Sequence, residues 1–267
     1  MALVLGTIYN YYHYLFYEFE DPRMSPYFLV HSPIPVLSII VLYLFFVLKW
    51  GPEYMQDRKP YDLKNVIKFY NLFQVCYNLY FATYGLWNSY LQSNFSFVCQ
   101  PYDPTDNRES MQRLLYAGFM YYLSKYVDLL DTVFFVLRKK NNQISFLHVY
   151  HHAGMVMGVY VYLKYLAGSH PTLLGILNGY VHVFMYSYYF ITSLGENYSK
   201  KFAWCKKYVT QIQLLQFALL VVHFILPLLQ ENCPHPKFIS MVGITQNAFM
   251  FALFFDFYYK SYIKKNK

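Results

Sequence analysis

Long apolar stretches alternate with short polar segments along most of the chain, and this pattern predicts membrane-spanning helices. A helix needs about 20 mostly apolar residues to cross a bilayer. The separating segments are short and carry Pro, Gly, Asp or Asn, which favour turns. The seven predicted spans are Pro35–Lys49 with residues 31–34 added at its start, Leu63–Leu91, Met111–Leu137, Ile144–Leu166, Thr172–Leu194, Trp204–Leu229 and Phe238–Tyr259.

No separating segment is long enough to divide the chain into independent domains. We therefore predict a lumenal lead-in over residues 1–30, one seven-helix transmembrane domain over 31–259 and a cytosolic basic tail over 260–267. The lead-in lacks the basic start and small-residue cleavage site of a signal peptide and is expected to be a short amphipathic segment. The predicted fold class is all-α, with six of the seven helices enclosing a tunnel open to the cytosol.

The composition agrees with a membrane protein and excludes several other classes. The chain is 57% hydrophobic and only 13% charged, whereas soluble domains contain about 25% charged residues. These values exclude a disordered chain, a coiled coil and a collagen-like fibre. Four cysteines in 267 residues are too few for a disulfide scaffold. The net charge of +8 does not predict a nucleic-acid partner, because no basic face or binding motif accompanies it.

The distribution of Lys and Arg predicts the orientation in the membrane. Sixteen of the 22 basic residues lie after odd-numbered spans or in the C-terminal tail, and five lie on the opposite side. The C-terminus is therefore predicted to lie in the cytosol and the N-terminus in a lumen. The glycosylation sequence Asn94-Phe95-Ser96 falls on the lumenal side in this orientation. Cys99 and Cys233 also fall on the lumenal side. A disulfide between them and two free thiols are both open interpretations there.

Ionisable side chains inside predicted spans are costly and indicate function. At about 1.5 Å per helical residue, three such sets lie in the cytosolic half of the bilayer and predict a polar chamber with an apolar tunnel beyond it. The polar residues Thr210, Gln213, Gln216 and Asn247 reach the same depth. The three sets are Lys125, Asp128 and Asp131 on the third span, His148, His151 and His152 on the fourth, and Asn178, His182, Tyr186 and Tyr189 on the fifth.

One interpretation of the histidines is a metal site. HxxHH is a histidine box of membrane di-iron desaturases and hydroxylases, and imidazole is a good iron ligand. Only His148, His151, His152 and His182 lie in the predicted chamber, and four imidazoles can hold one metal ion but not the expected pair. A non-catalytic transporter or receptor is a third class. For the Lys–carboxylate set, the alternative to a functional role is an internal ion pair that only holds helices together.

The other interpretation is nucleophilic and acid–base catalysis on a thioester. Imidazole titrates near neutral pH and can carry an acyl group. Asp128 or Asp131 would orient an imidazole ring, and amide side chains would stabilise an oxyanion. Basic residues at the cytosolic rim would either bind nucleotide phosphates or only set the topology. These rim residues are Arg138, Lys139, Lys140, Lys206 and Lys207.

Four segments of the chain, taken in order, resemble the motifs of the very-long-chain fatty acid elongases. KYVDLLDT, which begins at Lys125, resembles KxxExxDT, with Asp128 where Glu is common. HVYHH (148–152) is similar to HxxHH, and NGYVHVFMYSYY, which begins at Asn178, is similar to NxxxHxxMYxYY. TQIQLLQF, which begins at Thr210, resembles TxxQxxQF. Their order, their spacing and the number of helices agree with this family over about residues 30–260.

The resemblance implies a 3-ketoacyl-CoA synthase that condenses a long-chain acyl-CoA with malonyl-CoA and releases CO2 and CoA. It implies a ping-pong transfer with the acyl group on His151, assistance from His182, and positioning or proton transfer by His148 and His152. Further catalytic roles are implied for Lys125, Asp128 and Asp131. Neither a metal nor a redox cofactor is implied. Substrate contacts are implied for Asn178, Tyr186, Tyr189, Thr210, Gln213, Gln216, Asn247 and the five rim residues.

The C-terminal residues KKNK add an expectation about location. Lys264 and Lys265 stand at the third and fourth positions from the end, which resembles a di-lysine retrieval signal of endoplasmic reticulum membrane proteins. Ordinary basic residues after a last span are the alternative. We therefore expect a multi-pass protein of the endoplasmic reticulum membrane that associates with the reductases and the dehydratase of the elongation cycle or with a second copy of itself.

Overall fold

The computed structural model describes residues 2–264, and within this range the chain is helical and has no β-strand. Its seven long helices correspond one by one to the seven predicted spans. The helices are α1 Pro33–Met55, α2 Lys64–Trp87, α3 Glu109–Leu137, α4 Phe146–Tyr165, α5 Thr172–Ser193, α6 Cys205–Leu229 and α7 Lys237–Ile263.

Three of these helices, α1, α6 and α7, are long and apolar enough by themselves to cross a membrane. The chain is therefore an all-helical protein with membrane-spanning helices. Helices α2–α5 do not meet the same criterion. Helices α3, α4 and α5 carry the polar and charged side chains that were singled out above, and α2 carries several Asn and Gln residues. The seven-span topology stays a prediction.

The ends of the helices follow from local sequence signals. Ser32 caps α1, because its side-chain oxygen accepts the N–H of Ile34 at 3.3 Å. Ser145 caps α4 in the same way and accepts the N–H of His148 at 3.3 Å. The histidine segment therefore occupies the first two turns of α4. Within α1, the wider π-helical segment Phe46–Trp50 precedes Pro52, which has no N–H to donate.

Six helices form a closed ring, in which each helix packs against two neighbours. Helix α2 packs against α3 and α5, α3 packs against α4, α5 packs against α6, α6 packs against α7, and α7 returns to α4. Helix α1 stands outside this ring and packs against α3 and α4. This arrangement gives α2–α7 a common interior, toward which the polar faces of α2, α3 and α5 are turned.

Three loops meet at one end of the bundle, which we call the disulfide end: residues 88–108, 166–171 and 230–236. Cys99 and Cys233 are joined there by a disulfide, with their Cα atoms 5.9 Å apart. The backbone N–H of His170 donates to the carbonyl oxygen of Gln100 at 3.0 Å. The turn between α4 and α5 needs glycine at Gly168, since φ is +77° and a Cβ would lie 2.5 Å from the sulfur of Met111.

Three buried histidines fill the space under these loops. The rings of His170 and His223 stack with centroids 3.8 Å apart, and each Nε2 lies within 3.1 Å of the other residue's carbonyl oxygen. The ring of His235 lies 5.3 Å from that of His170. Burial lowers the pKa of the loop residue His170 and lowers that of His235 to about 4. Both rings are therefore neutral near pH 7 and pack without charge repulsion.

The N-terminal segment is attached to the same end of the bundle. It contains a helix over Ala2–His13, and its Glu20 forms an ion pair of 2.6 Å with the ammonium group of Lys164. Lys164 is fully buried and also donates to the carbonyl oxygens of Val30 and His31. The predicted lead-in is therefore packed onto the bundle. At the other end of the chain α7 runs to Ile263, so the predicted tail begins as helix; Lys264 is exposed, and Lys265 lies outside the described residues.

We expect Cys99→Ser or Cys233→Ser to lower the free energy of unfolding by about 2–5 kcal/mol, because the disulfide closes a long loop of the unfolded chain. The thermal midpoint of the protein in detergent, with and without a reducing agent, measures this loss. Cys76→Ser is the matched control, since Cys76 is an exposed free cysteine on α2. Equal midpoints for all three variants would contradict the expectation.

Candidate active site

Asp128 lies at the junction of three helices, and both of its carboxylate oxygens have partners. The ammonium group of Lys125 lies 2.7 Å from Oδ2, and Nε2 of Gln74 on α2 donates to Oδ1 at 2.6 Å. From α5, the hydroxyl of Tyr186 lies 3.1 Å from Oδ1 and Nδ1 of His182 lies 3.6 Å from Oδ2. Because Asp128 is only 3% exposed, these contacts keep a buried carboxylate ionised.

Lys125 is buried as well, and its charge is fully engaged. Besides Asp128, its ammonium group donates to Oδ1 of Asn178 at 2.9 Å and lies 4.7 Å from the ring centroid of Tyr121. The hydroxyl of Tyr121 donates to the same oxygen of Asn178 at 3.1 Å. The side-chain oxygen of Asn178, a predicted substrate contact, is therefore used within this network.

Tyr186 and Tyr189, both predicted substrate contacts, differ in position. Tyr186 is fully buried, and its hydroxyl lies 2.7 Å from Oδ2 of Asp131 as well as 3.1 Å from Asp128. The hydroxyl of Tyr70 on α2 lies 3.3 Å from that of Tyr186. Tyr189 is 40% exposed, with its ring 6.0 Å from that of Tyr186. Tyr186 therefore belongs to the carboxylate network, and Tyr189 lies at its margin.

His148 is held in one orientation by a chain of hydrogen bonds that reaches α1. Its Nε2 lies 2.9 Å from the hydroxyl of Thr132 on α3, and that hydroxyl lies 2.7 Å from the hydroxyl of Tyr43. The ring of His148 packs 4.2 Å from the ring of His152. The peripheral helix α1 therefore contributes to the site through Tyr43.

His151 points in a different direction from His148, toward α6 and α7. Its ring lies edge-on to Phe217 of α6 at 6.5 Å and to Phe254 of α7 at 6.2 Å. It is also close enough to Lys125 and His182 for electrostatic interaction. His151 and His182 therefore face the common interior of the ring of helices, on the same side as the carboxylate network.

The polar residues of α6 and α7 contribute less to this network than the sequence predicts. The side chains of Thr210 and Asn247 donate to backbone carbonyls of their own helices at 3.2 and 2.8 Å. Nε2 of Gln213 lies 3.5 Å from the sulfur of Met185. Gln216 is buried, and its Oε1 has no hydrogen-bond partner among the described residues. Of these four, Gln216 thus offers an unpaired acceptor in the interior.

The predicted rim residues lie together at the opposite end from the disulfide, which we call the basic end: residues 138–140 and 206–207. Lys140, Lys206 and Lys207 are exposed, and Arg138 is partly exposed. The ammonium group of Lys139 donates to the carbonyl oxygen of Gln56 at 2.9 Å and thereby joins the end of α3 to the end of α1. The predicted phosphate contact therefore fits the three exposed lysines better than Lys139.

Sequence analysis missed four residues of the site: Tyr43, Tyr70, Gln74 and Asn78. Gln74 and Asn78 are completely buried on α2, and Nδ2 of Asn78 donates to the carbonyl oxygen of Gln74 at 2.8 Å. A signal was present, because Asn71, Gln74 and Asn78 recur at i, i+3 and i+7 within a predicted span. No comparable signal marks Tyr43 or Tyr70 in a chain with 32 tyrosines.

No three His, Cys, Asp or Glu side chains cluster as a possible metal site in residues 2–264. The di-iron interpretation therefore has no ligand set in this part of the chain.

An apolar cavity of about 100 Å³ lies between α2, α3, α4 and α5 on the side of the network that faces the disulfide end. Tyr121, one turn from Lys125, lines it near the network, and Leu114, Tyr162 and Pro171 line it toward the disulfide end. Gly158 on α4 borders the cavity, and a Cβ added there would meet no atom within 4 Å. The charged network therefore adjoins a space suited to a hydrocarbon group.

Comparisons with known proteins identify the family of this chain. The profile of the family described as ELO: GNS1/SUR4 matches residues 28–267. The chain is 39% identical to very long chain fatty acid elongase 4 of Homo sapiens over 252 residues, which is 94% of this chain and 78% of that protein. It is 38% identical to very long chain fatty acid elongase F of Drosophila melanogaster, over 92% of this chain and 95% of that protein.

A very long chain fatty acid elongase of Aedes aegypti is also 38% identical, over 100% of this chain and 73% of its own length. The family match spans almost all of the chain, and the similarity to each of these relatives exceeds what chance gives over such lengths. Together they confirm the resemblance that the four sequence motifs indicated. The chain belongs to the ELO family, GNS1/SUR4.

Proposed function

We propose that this protein is the condensing enzyme of fatty acid elongation, a 3-ketoacyl-CoA synthase of the acyltransferase type. It joins a long-chain acyl-CoA to two carbons of malonyl-CoA and releases CO2 and CoA. The observation that carries this proposal is the buried network of Lys125, Asp128, Asn178 and His182, which adjoins both His151 and an apolar cavity. A thioester placed between these groups meets a nucleophile, a second imidazole and a space for its chain.

In the first step an unprotonated nitrogen of the His151 ring attacks the carbonyl carbon of the thioester. The carbon–sulfur bond breaks, and the thiolate of CoA leaves. The proton from the other nitrogen of the ring neutralises that thiolate, so the step takes no proton from water. The product is an acyl group on His151. His182 and Lys125 interact electrostatically with His151, and in this proposal His182 stabilises the developing negative charge.

In the second step malonyl-CoA loses CO2, and the electron pair left on its α-carbon attacks the acyl carbon. The bond from that carbon to His151 breaks, and the ring takes up one proton to become neutral imidazole. Over both steps one proton is consumed for each acyl-CoA elongated. Since CO2 loss generates the carbon nucleophile, the chemistry requires no metal or redox cofactor from the protein.

We place the acyl chain in the cavity beside Tyr121, with the CoA groups at the basic end near Lys140, Lys206 and Lys207. This arrangement corresponds to seven spans, six of them around a chamber that opens to the cytosol, with the N-terminus in the lumen of the endoplasmic reticulum. The C-terminal lysines and the Lys and Arg distribution support this orientation. The reductases and the dehydratase that act on the product, or a second copy of the chain, are the proposed protein partners.

We expect Gly158→Leu to shorten the longest product by at least one two-carbon step. Gly158 lines the cavity, and a Cβ there would meet no atom within 4 Å, so a larger side chain can occupy part of this space. Product lengths from a mixture of acyl-CoA primers measure the change. Val161→Leu adds volume at an exposed position on the same helix and serves as the control. Equal product lengths for Gly158→Leu and the wild type would contradict the proposed position of the chain.

The test of the proposed function uses microsomes that carry the protein, labelled malonyl-CoA and a panel of acyl-CoA primers. We expect 3-ketoacyl-CoA two carbons longer than the primer, formed without O2 and unaffected by an iron chelator. Loss of activity on chelation, together with a requirement for O2, would favour the desaturase or hydroxylase alternative. Full activity of His151→Ala would favour a non-catalytic role of the histidines.

A further inference from the structure

The hydroxyl of Tyr186 has more acceptors around it than it has hydrogens. Its oxygen lies 2.7 Å from Oδ2 of Asp131 and 3.1 Å from Oδ1 of Asp128. A phenol carries a single hydrogen and can donate it to only one of two ionised carboxylates. The other short oxygen–oxygen contact needs a second hydrogen. Because two ionised carboxylates around one phenol would repel each other in a buried site, the arrangement is most stable when one of the two carboxyl groups holds a proton.

The surroundings of the two carboxyl groups decide which one holds that proton. Asp128 faces the ammonium group of Lys125 at 2.7 Å and accepts from Gln74 at 2.6 Å, so its ionised form is compensated. Asp131 has no ammonium group at such a distance among the described residues. The proton therefore resides on Asp131, which donates to Tyr186, and Tyr186 in turn donates to Asp128.

The other groups that face Asp131 do not change the assignment of the proton to Asp131. The hydroxyl of Tyr70 on α2 is a second hydrogen-bond partner of Asp131, and Tyr43 of α1 and Tyr189 of α5 lie within electrostatic range of it. Each is a neutral phenol near pH 7, so none supplies a compensating positive charge. Lys125 and Asp128, on the same helix as Asp131, are paired with each other.

The two ends of this chain of hydrogen bonds have different access to water. Asp131 is partly exposed and stands one turn nearer than Asp128 to the basic end of α3, whereas Asp128 and Tyr186 are buried. At the inner end, Oδ2 of Asp128 lies 3.6 Å from Nδ1 of His182, a buried atom that has no hydrogen-bond partner among the described residues. The chain of hydrogen bonds therefore runs from a partly exposed carboxyl group to an imidazole that interacts electrostatically with the proposed nucleophile His151.

The proposed reaction consumes one proton in each turnover, and that proton has to enter a buried site. We propose that Asp131, Tyr186 and Asp128 form a relay that delivers it from the basic end to His182. Asp131 gives its proton to the oxygen of Tyr186 as Tyr186 passes its own to Oδ1 of Asp128. Rotation of the Asp128 carboxyl group then brings this proton to Nδ1 of His182, which takes it up. His182 then protonates the ring of His151 as the acyl carbon leaves. Asp131 regains a proton from water and the His182 ring returns to its starting tautomer before the next turnover, so charges and hydrogens balance. This inference rests on the proposed function.

Asp131→Asn and Tyr186→Phe test the relay in the purified full-length enzyme. Acyl-CoA alone should release CoA in a burst, and this half-reaction takes no proton from water. The full reaction takes up one proton from water in each turnover. We therefore expect kcat with malonyl-CoA to fall roughly 10²-fold in both variants, while the rate of the CoA burst falls far less. Asp131→Glu, which keeps the carboxyl group, should recover most of the lost kcat. The decline of kcat at high pH, where Asp131 loses its proton, should be absent in Asp131→Asn.

The controls remove the same groups elsewhere. Tyr180→Phe takes one hydroxyl from α5 at a contact with Thr83, and Asp256→Asn breaks an exposed ion pair with Lys260. Both variants should match the wild type in the rate of the CoA burst and in kcat. Equal losses of burst and kcat in Asp131→Asn and Tyr186→Phe would overturn the relay and indicate a purely structural role. Failure of Asp131→Glu to recover kcat would also count against it.

The same experiment separates the relay from the proposed function. Condensation by the wild type without any CoA burst would contradict the acyl group on His151 and leave condensation itself intact. In that case the kcat of the Asp131 variants and its pH profile still decide the relay, because the overall reaction consumes one proton by either route.

Discussion

Replacement of His151 by alanine should lower malonyl-CoA-dependent elongation by roughly 10³-fold or more, since loss of the nucleophile removes the covalent route. His151 is the only histidine of the HxxHH segment whose ring faces both Phe217 and Phe254 within the described structure. His148 is instead hydrogen-bonded to Thr132, and its ring packs against His152. The readouts are the elongation rate and the intact mass of enzyme trapped with acyl-CoA in the absence of malonyl-CoA.

The wild type should release about one CoA per active site and gain the mass of one acyl group, which peptide mapping assigns to His151. His151→Ala should show neither. His13→Ala is a suitable control, because His13 lies in the N-terminal helix and its side chain is 46% exposed. An acyl group found on His182, or no adduct at all on active wild-type enzyme, would contradict the assignment of the nucleophile.

Lys125→Met should destabilise the protein by about 3–5 kcal/mol, which is the usual cost of leaving one partner of a buried ion pair without the other. Lys125 and Asp128 are 2% and 3% exposed, and their charged atoms lie 2.7 Å apart. Without the ammonium group, Asp128 keeps hydrogen bonds from Gln74 and Tyr186 but loses its compensating charge. The thermal midpoint in detergent is the readout.

The double variant Lys125→Met/Asp128→Leu separates stability from chemistry. It removes both charges, so we expect its thermal midpoint to lie closer to that of the wild type than to that of Lys125→Met. Its elongation activity should stay at background. Lys260→Met, in an exposed ion pair with Asp256, should leave the midpoint unchanged. A double variant as unstable as Lys125→Met would show that the charge of Asp128 is not the cause of the loss.

The positions of the seven long helices were predictable from the sequence, with every end within six residues of the predicted one. The predicted spans Met111–Leu137 and Thr172–Leu194 correspond to helices Glu109–Leu137 and Thr172–Ser193. Helix formation over such stretches depends on local properties, namely a long apolar run, capping residues and turn residues between runs. The residues that share a helix face were predictable for the same reason, since spacing along one helix sets direction around its axis.

The partners of those residues across helices were not predictable in the same way. Asp128 was singled out as an unusual residue of its motif, but its contact with Gln74 depends on how α2 and α3 are rotated against each other. Tyr186 was interpreted as a substrate contact, and only packing of α5 against α3 shows its hydroxyl between Asp128 and Asp131. Tyr43 lies on a helix outside the ring and still reaches Thr132.

The sequence by itself determined which stretches become helices, which faces of them are polar, and to which family the motifs point. These properties depend on interactions between residues a few positions apart, and such neighbours are known from the sequence itself. Only the tertiary structure decided which polar atoms meet: Lys125 with Asn178, Asp131 with Tyr186, and Cys99 with Cys233. Such contacts depend on helix rotation and packing over the whole bundle, and small rotations of a helix change every one of them.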